Sequence, residues 1–577
     1  MSKQLSLSYH KVTIPDLSKS DRVGELNHIQ SYNPVYSLFF DVNERTYDKI
    51  CFSQAEYIVD AEHVVNENKE TLSRKMHIKS APLIDPIHYL IGKYKDQNKK
   101  WLNLPQYGSS DTDCMEKLLS PNNTSYVDNF FNFLSSQVLT HYDFQHGIQF
   151  YGSFLGIQKK FVFNAYDDIE YLQESEYFLQ NNKCLYEVED DDDSSNEKSG
   201  GSHNQNTQQN RPRLILNENL ESTILDDVVE LVNVTDVSTT ITETIEKEEN
   251  DDLELVYEQE QNSDDDEDES DTSSINYSTD DNGNNVEEGE NESDESGSDE
   301  SESDESGSDD EEDDDSDSSS SHEFLPLYIY DFPVQMIALE KCDGTIDELI
   351  EENKIEEAQM FSALIQVIFT LLAYQKMFSL THNDLHTNNI VYKTTTEKYL
   401  YYCVERKYYK VPTYGRVFKI IDFGRSIYRF QDKLFCSDSF SPDGDANGQY
   451  NTEPYLNLKK SRLEPNPSFD LCRLGCSLYN FYFEPDEPLP KKMTPLQSLV
   501  HSWCIDDNNM NILYKRNGEE RYPNFKLYKM IARLVHNKTP KNQLSLPVFK
   551  GFEIDKAPKG KQNRVMNIDS LPVLYSV

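Results

Sequence analysis

The chain has 577 residues and a formal charge of −50, from 54 Lys+Arg against 104 Asp+Glu. Residues 187–323 hold 51 of those acids and four of the bases, a net of −47, which leaves the other 440 residues at −3. That division excludes a wholly disordered acidic protein, because the remainder is ordinary in charge and rich in aromatics. It also excludes a nucleic-acid binder acting by net charge, since no basic excess is left to neutralise phosphates. The remainder is long enough to bury a large core in two or more parts.

The first residues, MSKQLSLSYHKVTIPDL, contain no apolar stretch, so no signal peptide is expected. The nine cysteines are scattered, with no CxxC pair. Free thiols in a reducing, cytoplasmic setting are expected. Strands are predicted at Met76–Lys79, Gly147–Phe154 and Lys159–Tyr166, with a helix over Tyr126–Leu139 ahead of the second. Then comes the acidic insertion. Its stretch Ser263–Ser321 is almost entirely Asp, Glu, Ser, Asn and Gly, and such composition cannot bury enough apolar surface to offset ordering entropy. It is predicted to be disordered, with the weaker apolar patch Arg213–Val234 as linker. A further strand is predicted at Val334–Glu340. The insertion therefore falls between strands of one sheet and must leave from a surface turn, at little cost because loop entropy grows slowly with length.

After that strand the chain is predicted mostly helical, which makes the whole an α+β pattern. Phe361–Leu380 is apolar almost all round. Its length would suit a membrane span. Gln366, Gln375 and Lys376 interrupt it, and the reading taken is the centre of a large soluble domain, with no membrane contact. Cys472 and Cys476 sit four apart in a helical stretch and are read as core. Gln497–Trp503 and Phe525–Asn537 read as amphipathic helices, and His501, Trp503 and His536 as packing residues.

The strongest chemical signal is THNDLHTNNIVY, Thr381–Tyr392. Within it His382, Asp384 and Asn389 stand at H-x-D-x-x-x-x-N spacing. FKIIDFGRS follows, with Asp422-Phe423-Gly424 at a strand end, and then SFDLCRLGCSLY, with Asp470 and Gly475 on a helix. Phosphoryl transfer from ATP needs divalent metal held by oxygen ligands and a carboxylate near the accepting hydroxyl. Asp422 and Asn389 supply the oxygens, and Asp384 can deprotonate the acceptor. Asp470 can hold the loop backbone by carboxylate-to-amide hydrogen bonds. This ordered set resembles the eukaryotic protein-kinase family, and more narrowly the divergent protein kinases of large nucleocytoplasmic DNA viruses of the giant amoebal type.

The resemblance implies a two-lobed protein-kinase-like α+β fold with a long disordered acidic insertion in the small lobe. Residues 1–69 would be an N-terminal extension with possible first strands, and 70–186 the first part of the small lobe. The insertion is 187–323, the last small-lobe strand and hinge 324–345, and the large lobe 346–577. Lys79, on the strand Met76-His77-Ile78-Lys79, would orient the ATP phosphates, with Lys75 as rival. The backbone near Glu340, Lys341 and Cys342 would meet adenine, and Val391 and Asp422 would also line the nucleotide site. Asn389 and Asp422 would hold Mg2+. His386 stands where a catalytic lysine is usual, and His77 where a small residue is usual.

Four departures matter. No glycine-rich phosphate loop is visible, since Gly24 is the only glycine in residues 1–79. The helix Tyr126–Leu139 has no Glu for Lys79; Asp128 is its only acid, and Gln137 lies at an alternative register. The other two are His77 and Asn383, which stands where Arg is usual. The expected activity is Mg-ATP-dependent phosphorylation of Ser or Thr on protein, in the cytoplasm of a host or in a virion. Two alternatives stand beside it: an inactive pseudokinase scaffold, and a small-molecule kinase of the H-x-D-x-H-x-x-N type. The acidic insertion is a possible docking surface for basic partners, although a solvating spacer is the plainer reading.

Overall fold

A computed structural model describes residues 5–15, 17, 24–188, 324–484, 488–560 and 564–576. Nearly all of the predicted disordered insertion, with its Arg213–Val234 patch, lies outside the described residues. The described chain is a mixed α and β protein with several small sheets. Its first part carries strands β1 (Leu26–Gln30), β2 (Glu56–Ile58), β3 (His63–Asn66), β4 (Thr71–Ser73) and β5 (Met76–Pro82). Helix α1 (Thr124–Tyr142), the long strand β6 (Phe150–Asn164) and the short β7 (Tyr186–Val188) follow. Beyond residue 323 comes β8 (Pro326–Glu340), which pairs with β6 on one side and with β5 and β7 on the other. β1 extends the sheet beyond β6, and β2, β3 and β4 form a second, antiparallel sheet.

The two strands predicted at 147–154 and 159–166 are one strand of 15 residues. Gly152 and Gly156 do not interrupt it, because both of its edges are paired and ladder bonding overrides weak local propensity. Chain entry and exit around 189–323 are neighbours, since Val188 of β7 lies opposite Leu327 of β8.

The second part opens with β9 (Gly344–Thr345) and helices α2 (Ile346–Glu351) and α3 (Glu357–Phe378). Thr345 and Glu348 form a capping box at the start of α2. Ser379, at φ 53°, closes α3 in the left-handed conformation. α3 is long and apolar enough to cross a membrane, but 78% of its most apolar window is buried inside the protein. Val367, Ile368, Phe369 and Leu371 are all essentially inaccessible, as the reading of a central helix requires.

The expectation of a mostly helical remainder needs correction. β10 (Ile390–Thr394), β11 (Tyr399–Val404), β12 (Lys407–Pro412) and β13 (Arg416–Ile420) are followed by a hairpin of β14 (Ile427–Phe430) and β15 (Lys433–Cys436). Helices α4 (Phe469–Tyr482), α5 (Pro495–Trp503) and α6 (Lys526–Leu534) then precede the closing strands β16 (Glu553–Ile554) and β17 (Val565–Asn567). The β11–β12 turn is Glu405-Arg406, both residues at positive φ. Such a turn normally draws Asn or Gly. Here the Asp569 carboxylate accepts both turn amides at 2.8 Å, so a distant residue holds the conformation. β17 runs parallel to β11, and the Leu574 amide donates to the Met377 carbonyl at the end of α3.

Candidate active site

The site is built on the loop between α3 and β10. Asp470, fully buried in the first turn of α4, accepts the amides of His382 at 3.0 Å and Asn383 at 2.9 Å. This bidentate grip fixes a loop whose residue Asn383 sits at φ 68°. The Asn383 side chain donates to the Arg425 carbonyl at 2.9 Å and accepts from the Tyr450 hydroxyl at 2.7 Å. Asn383 therefore ties the loop directly to the 422–470 segment.

Asp384 projects from this loop with its side chain about a quarter exposed. The Tyr528 hydroxyl of α6 donates to it at 2.8 Å, and Arg473 of α4 in turn donates to the Tyr528 oxygen at 2.8 Å. Burial opposes the charge on Asp384. Arg425 and Arg473, with the Tyr528 hydroxyl, overcome that opposition and hold its pKa below the usual carboxylate value. Sequence reasoning missed both Arg473 and Tyr528. Arg473 left one signal, a cation one turn after Asp470 in an apolar helix; Tyr528 left none.

Asn389 donates through Nδ2 to the Asp384 carbonyl at 2.9 Å and to His386 Nε2 at 3.1 Å. Because that amide nitrogen can only donate, His386 Nε2 accepts and its proton lies on Nδ1. Nδ1 is buried and has no partner among the described residues. Burial pulls the His386 pKa down to about 4, against the pull of Asp384 and Asp422, so the ring is neutral. It offers one uncommitted N–H in the site.

Asp422 follows β13 at φ 63°, an uncommon conformation for a non-glycine residue. Lys79 of β5 donates to Asp422 Oδ1 at 2.9 Å and to Asp128 Oδ2 of α1 at 2.9 Å. Asp128 Oδ1 also accepts the Phe423 amide at 2.8 Å. The only acid in the predicted helix thus reaches the lysine in spite of its short side chain. Gln137, the alternative register, pairs instead with His141. Lys75 forms no ion pair among the described residues. Burial works against the Lys79 charge, but the two carboxylates outweigh it and raise its pKa. The same lysine outweighs the partial loss of solvent around the half-exposed Asp422 and holds that carboxyl well below its usual range, whereas Asp128 is pushed up by its burial. Phe423 is fully buried against Phe131 of α1, ring centroids 4.4 Å apart.

Asn389 and Asp422 also fit a divalent cation. The Ile421 amide donates to the Asn389 carbonyl at 3.1 Å, which brings the two residues to adjacent strand ends. Asn389 Oδ1 and Asp422 Oδ2 make no protein hydrogen bond among the described residues. Two open oxygens, one anionic and one neutral, suit a hard ion whose other ligands are phosphate and water.

The linking segment after β8 is only partly free. The amides of Glu340, Lys341 and Asp343 donate to the carbonyls of Gln149, Lys75 and Tyr392. The Lys341 carbonyl accepts from Lys393 at 2.6 Å. The Glu340 side chain forms a buried ion pair with Lys419 at 2.6 Å. Of the three residues from Glu340 to Cys342 expected to meet adenine through their backbone, only Cys342 has an amide without an acceptor among the described residues. Val391 is buried on β10, opposite Thr345 and Lys419. His77 is exposed.

The turn between β2 and β3, Val59–Glu62, contains no glycine. Asp60 accepts its Glu62 and His63 amides at 2.9 Å each. Thr124, at the start of α1, donates through its amide and hydroxyl to Asp438 at 3.0 and 2.7 Å, which docks α1 onto the 422–470 segment.

No protein-family model matches the chain. Among curated proteins, the uncharacterized protein 098R of Invertebrate iridescent virus 6 is 33% identical over 196 residues. That stretch is 33% of this chain and 29% of the viral protein, so the chain spans under a third of the relative it matches. The likeness suggests a viral origin for the chain.

Proposed function

We propose that the chain is a Mg-ATP-dependent protein kinase with a two-lobed, kinase-like fold that phosphorylates Ser or Thr. The observation that carries this reading is the meeting of Lys79, Asp128 and Asp422 at 2.9 Å contacts from three distant segments. The loop bearing Asp384, His386 and Asn389 stands next to it. Lys79 would orient the nucleotide phosphates, and the Cys342 amide and Val391 would receive the adenine. Mg2+ held by Asn389 and Asp422 would screen the phosphate charge. Asp384 accepts the proton of the acceptor hydroxyl as its oxygen bonds the γ-phosphorus. The bond to the β-phosphate bridging oxygen breaks, and ADP leaves. The His386 Nδ1–H would donate to a phosphoryl oxygen.

A second reading, a nucleotide-binding scaffold with little turnover, rests on the lack of a glycine-rich phosphate loop, Gly24 being the only glycine in residues 1–79. Purified chain with labelled Mg-ATP and casein or a basic protein separates the two. Transfer by the wild type, lost in Asp384→Asn and Asp422→Ala, is expected. Nucleotide-dependent thermal stabilisation without transfer to any acceptor would favour the scaffold.

A further inference from the structure

One face of α6 carries cations that no carboxylate partners among the described residues. Lys526, Lys529 and Arg533 share a helical stripe at i, i+3 and i+7. Arg533 donates to the carbonyls of Lys529 at 2.7 Å and Gly448 at 2.9 Å, and makes no ion pair among the described residues. Lys529 Nζ lies over the Phe525 ring, 5.6 Å from its centroid, beside Gly448. The exposed Lys460 adds a third positive charge close enough to Lys529 to depress its pKa, after burial and together with Arg533. By contrast, the neighbouring cations Arg425 and Arg462 are both paired, with Asp445 and Glu464. Like charges packed without counter-ions are unfavourable unless an anion is to be received there.

The position of this face gives it a role. Lys529 directly follows Tyr528, whose hydroxyl touches Asp384. Beside Lys460, an open depression of about 580 Å³ is lined by Pro442, Tyr455, Leu458 and Lys459. Leu458 is 89% exposed, so this rim presents an apolar side chain as well as charge. We infer that Lys460, Lys529 and Arg533 form a subsite for an anionic side chain of the acceptor peptide, so that the preferred acceptors are hydroxyls embedded in acidic sequence. The assignment to acceptor recognition rests on the phosphoryl-transfer reading; the affinity for acidic peptide does not. The chain itself contains such sequence, as in Ser303-Asp304-Glu305 and Ser308-Asp309-Asp310-Glu311.

Three fluorescent peptides test this against the full chain by anisotropy. The first has the sequence of residues 301–314, SESDESGSDDEEDD. The second has every Asp and Glu replaced by Asn and Gln. The third is the second with its serines phosphorylated. The acidic peptide should bind at least tenfold more tightly than the neutral one, and Lys460→Glu should weaken it fivefold or more. Lys529→Gln, which keeps the length of the stem, is the second variant. Tighter binding of the phosphorylated peptide than of the acidic one would assign the subsite to phosphate, and the reverse order to carboxylate. Equal binding of acidic and neutral peptides, or a preference untouched by both substitutions, would overturn the subsite. Transfer to the same peptides, with Asp384→Asn as control, is read separately: its absence would sink the phosphoryl-transfer reading and leave the binding result standing.

Discussion

At Asp384, the Tyr528 hydroxyl adds to Arg425 and Arg473 in holding the carboxylate ionised. Tyr528 stabilises the ionised form, so its removal lets the Asp384 pKa rise. In Tyr528→Phe the acid limb of the pH–rate profile should therefore move to higher pH. Loss of one charge-assisted hydrogen bond should also lower kcat by on the order of tenfold. A variant that loses activity with an unmoved acid limb would show that Tyr528 serves only packing. His146 gives a second residue-scale test. It is fully buried, bonded to the Phe418 carbonyl and the Tyr402 hydroxyl, and burial lowers its pKa to about 4. The unfolded chain takes up this proton near pH 6.5 and the folded chain only near 4. Stability is therefore complete above about pH 6.5 and is lost as pH falls toward 4, by about 3 kcal/mol. Denaturant titrations of wild type and His146→Gln at pH 7 and pH 4.5 should show a shallower pH dependence in the variant.

Among the elements, the C-terminal strap is the least expected contributor. Met566, Ile568, Leu571 and Leu574 are buried, and backbone bonds from this segment reach both α3 and Gln431 beside β14. Removing residues 565–577 should cost roughly 5 kcal/mol or more from lost apolar burial alone. A melting temperature close to that of the full chain would contradict this. Helices with strong apolar patterning were legible in the sequence: α1, α3, α5 and α6 fall close to their predicted spans, and α4 covers the stretch read as helical. β11 and β12 were not, because their turn, Glu405-Arg406, carries no turn residue and is held by Asp569, more than 160 residues away. Local reading cannot find a turn whose stabilising partner is that remote. Asp384 and Asn389 lie on one loop, so their neighbourhood was legible, whereas Asp422 was grouped with them only through the family resemblance. Tyr528 and the Glu340–Lys419 pair were invisible, since only tertiary packing brings them in.

For the molecule as a whole, the Glu340–Lys419 pair connects the end of β8 to β13, so it joins the two parts of the chain beside the candidate nucleotide site. Lys419 also donates to the Gly147 carbonyl at 2.7 Å. Lys419→Met would leave Glu340 almost buried and unpaired, at a cost of about 3 kcal/mol. Thermal unfolding with and without ATP measures this, and an unchanged melting temperature would show the pair to be dispensable. Charge follows a different logic at this scale. The near-neutral remainder carries the candidate chemistry, while the net of −47 lies in 187–323. Salt should therefore affect partner binding more than folding.

The pairing of Val188 with Leu327 means that covalent continuity between residues 189 and 323 is not what holds β8 in its sheet. β8 is gripped by β5, β6 and β7, all of which precede residue 189. The chain is in this sense a natural candidate for fragment complementation. Two polypeptides, 1–188 and 324–577, co-expressed without a linker, should assemble and purify as one particle, with Lys79 contributed by the first and Asp384 by the second. Protease nicking within 189–323 should likewise leave a particle that does not fall apart until it is denatured.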